Sequence, residues 1–198
     1  MIQEIVTRRS IRKYTDEMVS MDEIQDIIEA ARLAPSGKNR QPWKFYVFLG
    51  EKKKELIQAM KAGLKRESST HDILPDSATG LADAYHTLQV MKEAPCVIVV
   101  INTNGESALK ELHGHDERFR EQCDLLSIGA AIEHMVLEAK QLGLGTLWIG
   151  NTCFAYTELE EYLREKGQIV GAVAVGHAAE EPIQRPRKNI EEIMEVWQ

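Results

Sequence analysis

Two stretches of this 198-residue chain carry side chains able to grip a polar ligand. The first is Arg8-Arg9-Ser10-Ile11-Arg12, matched near the other end by Arg185-Pro186-Arg187. Side chains alternate along an extended segment, so Arg8, Ser10 and Arg12 share one side, as do Arg185 and Arg187. Two guanidinium groups flanking a hydroxyl suit a dianionic phosphate, which arginine binds through paired N–H groups. A solvated basic arm has the same sequence signature, and this stretch by itself leaves both readings open. The second stretch is Ala34-Pro35-Ser36-Gly37-Lys38-Asn39-Arg40-Gln41-Pro42-Trp43. Ser36 and Gly37 let backbone N–H groups approach a ligand. Asn39 and Gln41 each offer a donor and an acceptor, which fits a heterocycle edge of alternating C=O and N–H groups. An ordinary polar turn draws on the same residue types.

Other kinds of chemistry leave no mark. Cys96, Cys123 and Cys153 form no CxxC pair, so neither a zinc knuckle nor a disulfide framework is expected. His113 and His115 make an HxH with no committed third ligand, and a metal is not expected. No Ser-His-Asp, Cys-His or paired-carboxylate set stands out. The net charge of -7 argues against general nucleic-acid binding. The longest apolar run, residues 96–101, is too short for a bilayer. The N-terminus lacks a basic region followed by an apolar run, so a cytoplasmic protein is expected.

The elements that position these residues follow from periodicity. Ser20 and Glu23 form a capping box, and Val19 with Ile24 a hydrophobic staple, at the start of a helix facing inward through Ile24, Ile27, Ile28, Ala31 and Ala34. Pro35 stops it. Phe45–Leu49 is apolar on both faces and reads as a central strand. A helix is expected over residues 52–64, an irregular lid or surface loop over 65–80, and a further helix through Leu81, Tyr85, Leu88 and Met91. Cys96–Ile101 reads as a buried strand. Charged residues 106–122 read as partly helical, and Leu125–Leu142 as a buried central helix closed by Gly143. Strand Gly145–Gly150, a short helix near Glu158–Arg164 and strand Ile169–Val175 complete the chain. No linker divides it, so one domain over residues 1–198 is expected.

The order of these motifs is more specific than any one of them. An RRSxRxY arm leads through a helix into APSxxNxQPW, then LGLGTxWIG, a VGH turn and an RxR tail. In this order the chain, from Arg8 to about Ile193, resembles the FMN-dependent nitroreductase family. The resemblance implies an α+β nitroreductase-like fold, with a mixed, mainly antiparallel sheet flanked by helices in an interlocked homodimer. It implies that Arg8, Arg9, Ser10 and Arg12, with Arg185 and Arg187, hold the FMN phosphate. Pro35, Ser36, Gly37 and Asn39, with Gln41 beside them, correspond to a loop supplied to the flavin across the dimer interface. Thr146, Leu147, Trp148, Ile149 and Gly150 correspond to the segment against the isoalloxazine ring, with Leu-Trp-Ile-Gly as an apolar wall and Trp148 expected mainly as core. The implied activity passes hydride from NADH or NADPH through flavin N5 to a nitroaromatic or quinone, by ping-pong exchange. A flavin-fragmenting or dehalogenating relative, or a flavin-binding regulatory module, are the alternatives. Gly37 stands where many members carry serine, and His177 where an aromatic residue is common. His177 is expected either as a turn residue or facing the ligand.

Overall fold

The computed structural model describes residues 1–112 and 114–198, so the expectation for His113 lies outside the described residues. Four strands, β1 (Trp43–Phe48), β2 (Cys96–Asn102), β3 (Gly145–Ile149) and β4 (Gln168–Gly176), form one sheet in the order β1-β2-β4-β3. Among the described residues all three ladders are antiparallel, and the one parallel pairing is an isolated bridge between Ser10 and Thr146. Helices α1 (Gln3–Thr7), α2 (Met21–Arg32), α3 (Gly50–Thr70), α4 (Leu81–Glu93), α5 (His115–Gln141) and α6 (Tyr156–Leu163) surround it.

Strand alternation divides the interior into two cores. Cys96, Ile98 and Val100 of β2, with Val173 and Val175 of β4, face α2 and α5. Val97, Val99 and Ile101, with Ala172 and Ala174, face α3, α4 and α6. Cys96 is fully buried, and burial pushes its thiol up to about 12, so it serves as a small apolar side chain. No helix among the described residues is long and apolar enough to cross a membrane.

Helix α2 starts as its local sequence dictates. The Glu23 N–H donates to Ser20 Oγ at 3.2 Å, the Ser20 N–H donates to Glu23 Oε2 at 2.7 Å, and Val19 and Ile24 are both buried. Gly143 closes α5 with a φ of +82°.

Two expectations are corrected. Residues 45–49 do lie between two helical layers, but β1 is an edge strand, paired on one side to β2. Apolar side chains on both faces report covering layers and say nothing of a lateral neighbour. The irregular segment expected over 65–80 is helical to Thr70 and stops at His71, which adopts a left-handed φ of 53°. Residues 75–80 form 3₁₀ turns. The buried Glu67 carboxylate joins these parts, accepting the Ile73 and Leu74 N–H groups at 3.2 and 2.8 Å and pairing with Arg66 at 2.6 Å.

Candidate functional site

The arginines at the two ends converge because their segments are hydrogen-bonded together. The arm pairs first with the free edge of β3, where the Ile11 N–H donates to Thr146 O at 2.9 Å. It then pairs with the tail leaving β4: the Thr15 N–H donates to His177 O, and the Ala179 N–H donates to Lys13 O, both at 2.9 Å. Tyr14 sits in this seam and donates its hydroxyl to Ile11 O at 2.9 Å. Burial, aided by nearby Glu180, pushes its phenol well above the usual range. Glu180 accepts the backbone N–H groups of Arg12 and Lys13. Arm and tail thus run side by side.

Their side chains line a hollow of about 440 Å³ containing Arg8, Arg9, Ser10, Arg12, Arg185 and Arg187. Five guanidinium groups line it, and no carboxylate residue is among the lining. Arg9 Nη2 reaches Gln184 Oε1 at 3.4 Å, linking the two walls. Sharing Arg8, Arg9 and Pro182 with this hollow is a second one of about 370 Å³, which adds Thr7, Lys140 and Glu180. Sequence reasoning missed these last three, because no local pattern sets Thr7, Lys140 or Glu180 apart from other polar residues.

Strand β3 borders the site by its backbone. It is an edge strand, and alternate residues of an antiparallel strand aim their backbone groups to the same side. Thr146 points toward the arm, so Trp148 aims its N–H and C=O along the open edge. The expected apolar wall is corrected here. Leu147 and Ile149 turn their side chains into the core at 7% and 2% exposure, whereas Trp148 is 45% exposed rather than core. Gly129 of α5 lies beneath the indole, and a Cβ there would sit 4.0 Å from it.

The loop Ser36–Gln41 lies elsewhere. It is held to the middle of α5: the Gly37 N–H donates to Ser127 Oγ at 3.2 Å, and Arg40 pairs with Asp124 at 2.7 Å. From Ser127 to Lys140 the helix rises roughly 20 Å, so within one chain the loop does not join the arginine hollow. Pro35, Gly37, Asn39 and Gln41 are exposed and Ser36 half-buried. Lys38, Asn39 and Gln41 take left-handed φ values of 54°, 55° and 48°. Such strain in non-glycine residues persists only where surrounding contacts impose it, and it concentrates at functional sites. His177 lines neither hollow; its Nε2 lies 3.7 Å from Glu17.

The nitroreductase family model matches residues 5–177, ending short of Arg185 and Arg187. A protein of Archaeoglobus fulgidus named "Putative NADH dehydrogenase/NAD(P)H nitroreductase" is 30% identical over 149 residues, covering 75% of this chain and 66% of that protein. One of the same name from Methanothermobacter thermautotrophicus is 28% identical over 149 residues, covering 75% and 60%. The chain therefore spans less than two thirds of the length of these curated relatives. Among solved structures, a "putative nitroreductase in complex with fmn" from Desulfovibrio desulfuricans superposes with a TM-score of 0.72 at 26% identity. That alignment covers 99% of this chain and 96% of the other.

Proposed function

The chain belongs to the nitroreductase family, and from that premise we propose that it is an FMN-dependent oxidoreductase. It takes hydride from NADH or NADPH and passes it to an electron-poor acceptor of the nitroaromatic or quinone type. The observation that carries this reading is the hollow where Arg8, Arg12, Arg185 and Arg187 meet. A phosphate monoester dianion needs several cationic N–H donors and no competing carboxylate, and the lining meets both conditions.

In this reading Arg8, Arg9, Arg12, Arg185 and Arg187 hold the phosphate, and Ser10 adds a hydroxyl. The free edge of β3 at Trp148 offers backbone groups to the ring. Bound FMN supplies a ring nitrogen that accepts and returns hydride. No side chain of the chain is assigned a proton-transfer role. One open ring face serves nicotinamide and acceptor in turn, which gives ping-pong exchange.

Two copies interlock in this proposal, with residues 1–198 acting as one domain in each. The loop Ser36–Gln41 stands away from its own chain's hollow, which favours its reaching a partner's flavin. Phe119 and Leu126 on α5, and Ile193, Met194, Val196 and Trp197 in the tail, are apolar and exposed, as surfaces that meet another chain are. Cys96, Cys123 and Cys153 are all free thiols, in keeping with a reducing cytoplasm.

The test is the purified protein under anaerobic conditions. It should be yellow, and its visible flavin absorbance should bleach when NADH or NADPH is added and return with a nitroaromatic or quinone. A flavin that neither nucleotide reduces defeats the proposal. Sedimentation at the size of one chain defeats its dimeric part.

A further inference from the structure

We propose that Asp124 is a positioning residue: acting through Arg40, it sets the shape of the Ser36–Gln41 loop and hence the loop's grip on flavin. The proposal rests on the flavin reading above. Asp124 lies on the sheet-facing side of α5 and is 1% exposed, one turn from Ile128 and two from Ile132. A carboxylate in such a place is costly unless it is paired and hydrogen-bonded. Both oxygens are occupied. Oδ1 accepts from Arg40 Nε at 2.9 Å and Nη2 at 2.7 Å, and Oδ2 accepts from Asn104 Nδ2 at 3.3 Å.

The same helix face holds the other end of the loop. Ser127 donates its hydroxyl to Cys123 O at 2.7 Å and accepts the Gly37 N–H, so α5 grips Gly37 and Arg40 from adjacent turns. The loop's internal bonds, Asn39 N–H to Ser36 O at 2.9 Å and Gln41 N–H to Ser36 Oγ at 3.0 Å, close the turn without fixing it to the body. Attachment to the body comes from Asp124 and Ser127. Held in this way, Lys38, Asn39 and Gln41 stay in the left-handed region, and the exposed amides of Asn39 and Gln41, bonded to each other at 3.3 Å, present one fixed face. Without the carboxylate, Arg40 loses its anchor and the three residues relax toward ordinary backbone angles. A ligand must then reorder the loop when it binds, which weakens affinity. Asp124 itself lies behind the loop and touches no ligand.

The experiment titrates apo-protein with FMN in wild type, Asp124→Asn, Arg40→Gln and the double variant, recording the dissociation constant and the visible circular dichroism of the bound flavin. Each single change should raise the dissociation constant tenfold or more and alter the dichroism, and the double variant should be no weaker than the weaker single. A role confined to fold stability would lower the melting temperature yet leave both flavin readouts at wild-type values well below melting; that result overturns the proposal. Additive losses in the double variant overturn it too, because Asp124 and Arg40 would then act separately. If Asp124→Asn does not fold, Arg40→Gln decides on the same two readouts. Wild-type protein with no affinity for FMN overturns the flavin reading itself, before any variant is made.

Discussion

Glu180 accepts the backbone N–H of Arg12, so a carboxylate in the tail fixes the register of an arm 168 positions earlier in the chain. It accepts the Lys13 N–H as well, at 3.2 Å. Hydrogen bonds to a charged group are worth about 1.5–3 kcal/mol each, and partial exposure here favours the low end. Glu180→Ala should therefore let arm and tail drift apart, raising the FMN dissociation constant about tenfold and lowering the melting temperature by several degrees. Calorimetric titration checks this. An unchanged constant would mean that the seam between Lys13–Thr15 and His177–Ala179 holds the register by itself.

Arg187 lies on the tail wall of the hollow, and its Nη1 reaches Arg185 O at 3.3 Å. In the proposed site Arg187→Ala would remove one charge-assisted phosphate contact, worth about 1.5–3 kcal/mol before solvent screening. FMN retention should weaken by up to about tenfold, and the salt dependence of binding should become shallower. Titrations at two ionic strengths read both effects. The match to the family stops at residue 177, so this variant also tests whether the tail takes part in the site.

The arginine convergence was half legible in the sequence. Alternation along an extended arm places Arg8, Ser10 and Arg12 on one side by local geometry, and the same rule covers Arg185 and Arg187. That the two segments share one hollow depends on pairing between Lys13–Thr15 and His177–Ala179, which no local pattern reports. The capping box of α2 was legible because all its partners lie within four residues. The edge position of β1 was not, because the order of strands is decided by β2 and β4, far along the chain. The continuation of α3 to Thr70 was masked by Glu67, a charged residue at a fully buried position; its partners Ile73 and Leu74 belong to the segment that turns back over it. The Arg40–Asp124 pair, 84 residues apart, left one trace: an acid, with Ser127 beside it, on a face of α5 that is apolar from Ile128 onward.

Trp148 is 45% exposed on the free edge of β3, so it contributes little to the core. Trp148→Phe should change stability by less than about 0.5 kcal/mol, as exposed substitutions generally do. If the flavin ring lies along this edge, FMN should quench tryptophan emission in wild type and quench markedly less in the variant. Equal quenching in both would move the ring away from β3.

Arg66, Glu67 and Glu158 give the fold an acid-sensitive clamp. Arg66 Nε pairs with Glu158 Oε1 at 2.7 Å, and its Nη1 pairs with Glu67 Oε2 at 2.6 Å. The Arg66 guanidinium holds the Glu158 carboxyl below its ordinary range. Burial alone would raise Glu67, but the Leu74 and Ile73 N–H groups and Arg66 together bring it below the ordinary value. A group whose folded-state pKa is depressed adds stability that is complete above its unfolded pKa, about 4.3 for glutamate, and is lost as pH falls through the folded value. The melting temperature should therefore hold steady from neutral pH to about 5, then drop more steeply than that of Glu67→Gln. The variant should be less stable at neutral pH by an amount on the order of 3 kcal/mol, because a neutral amide leaves the Arg66 charge without its buried anion and keeps one acceptor oxygen where the Ile73 and Leu74 N–H groups use two. Thermal melts of both proteins from pH 7 to 3 decide it, and parallel curves would show that Glu67 does not carry the acid transition.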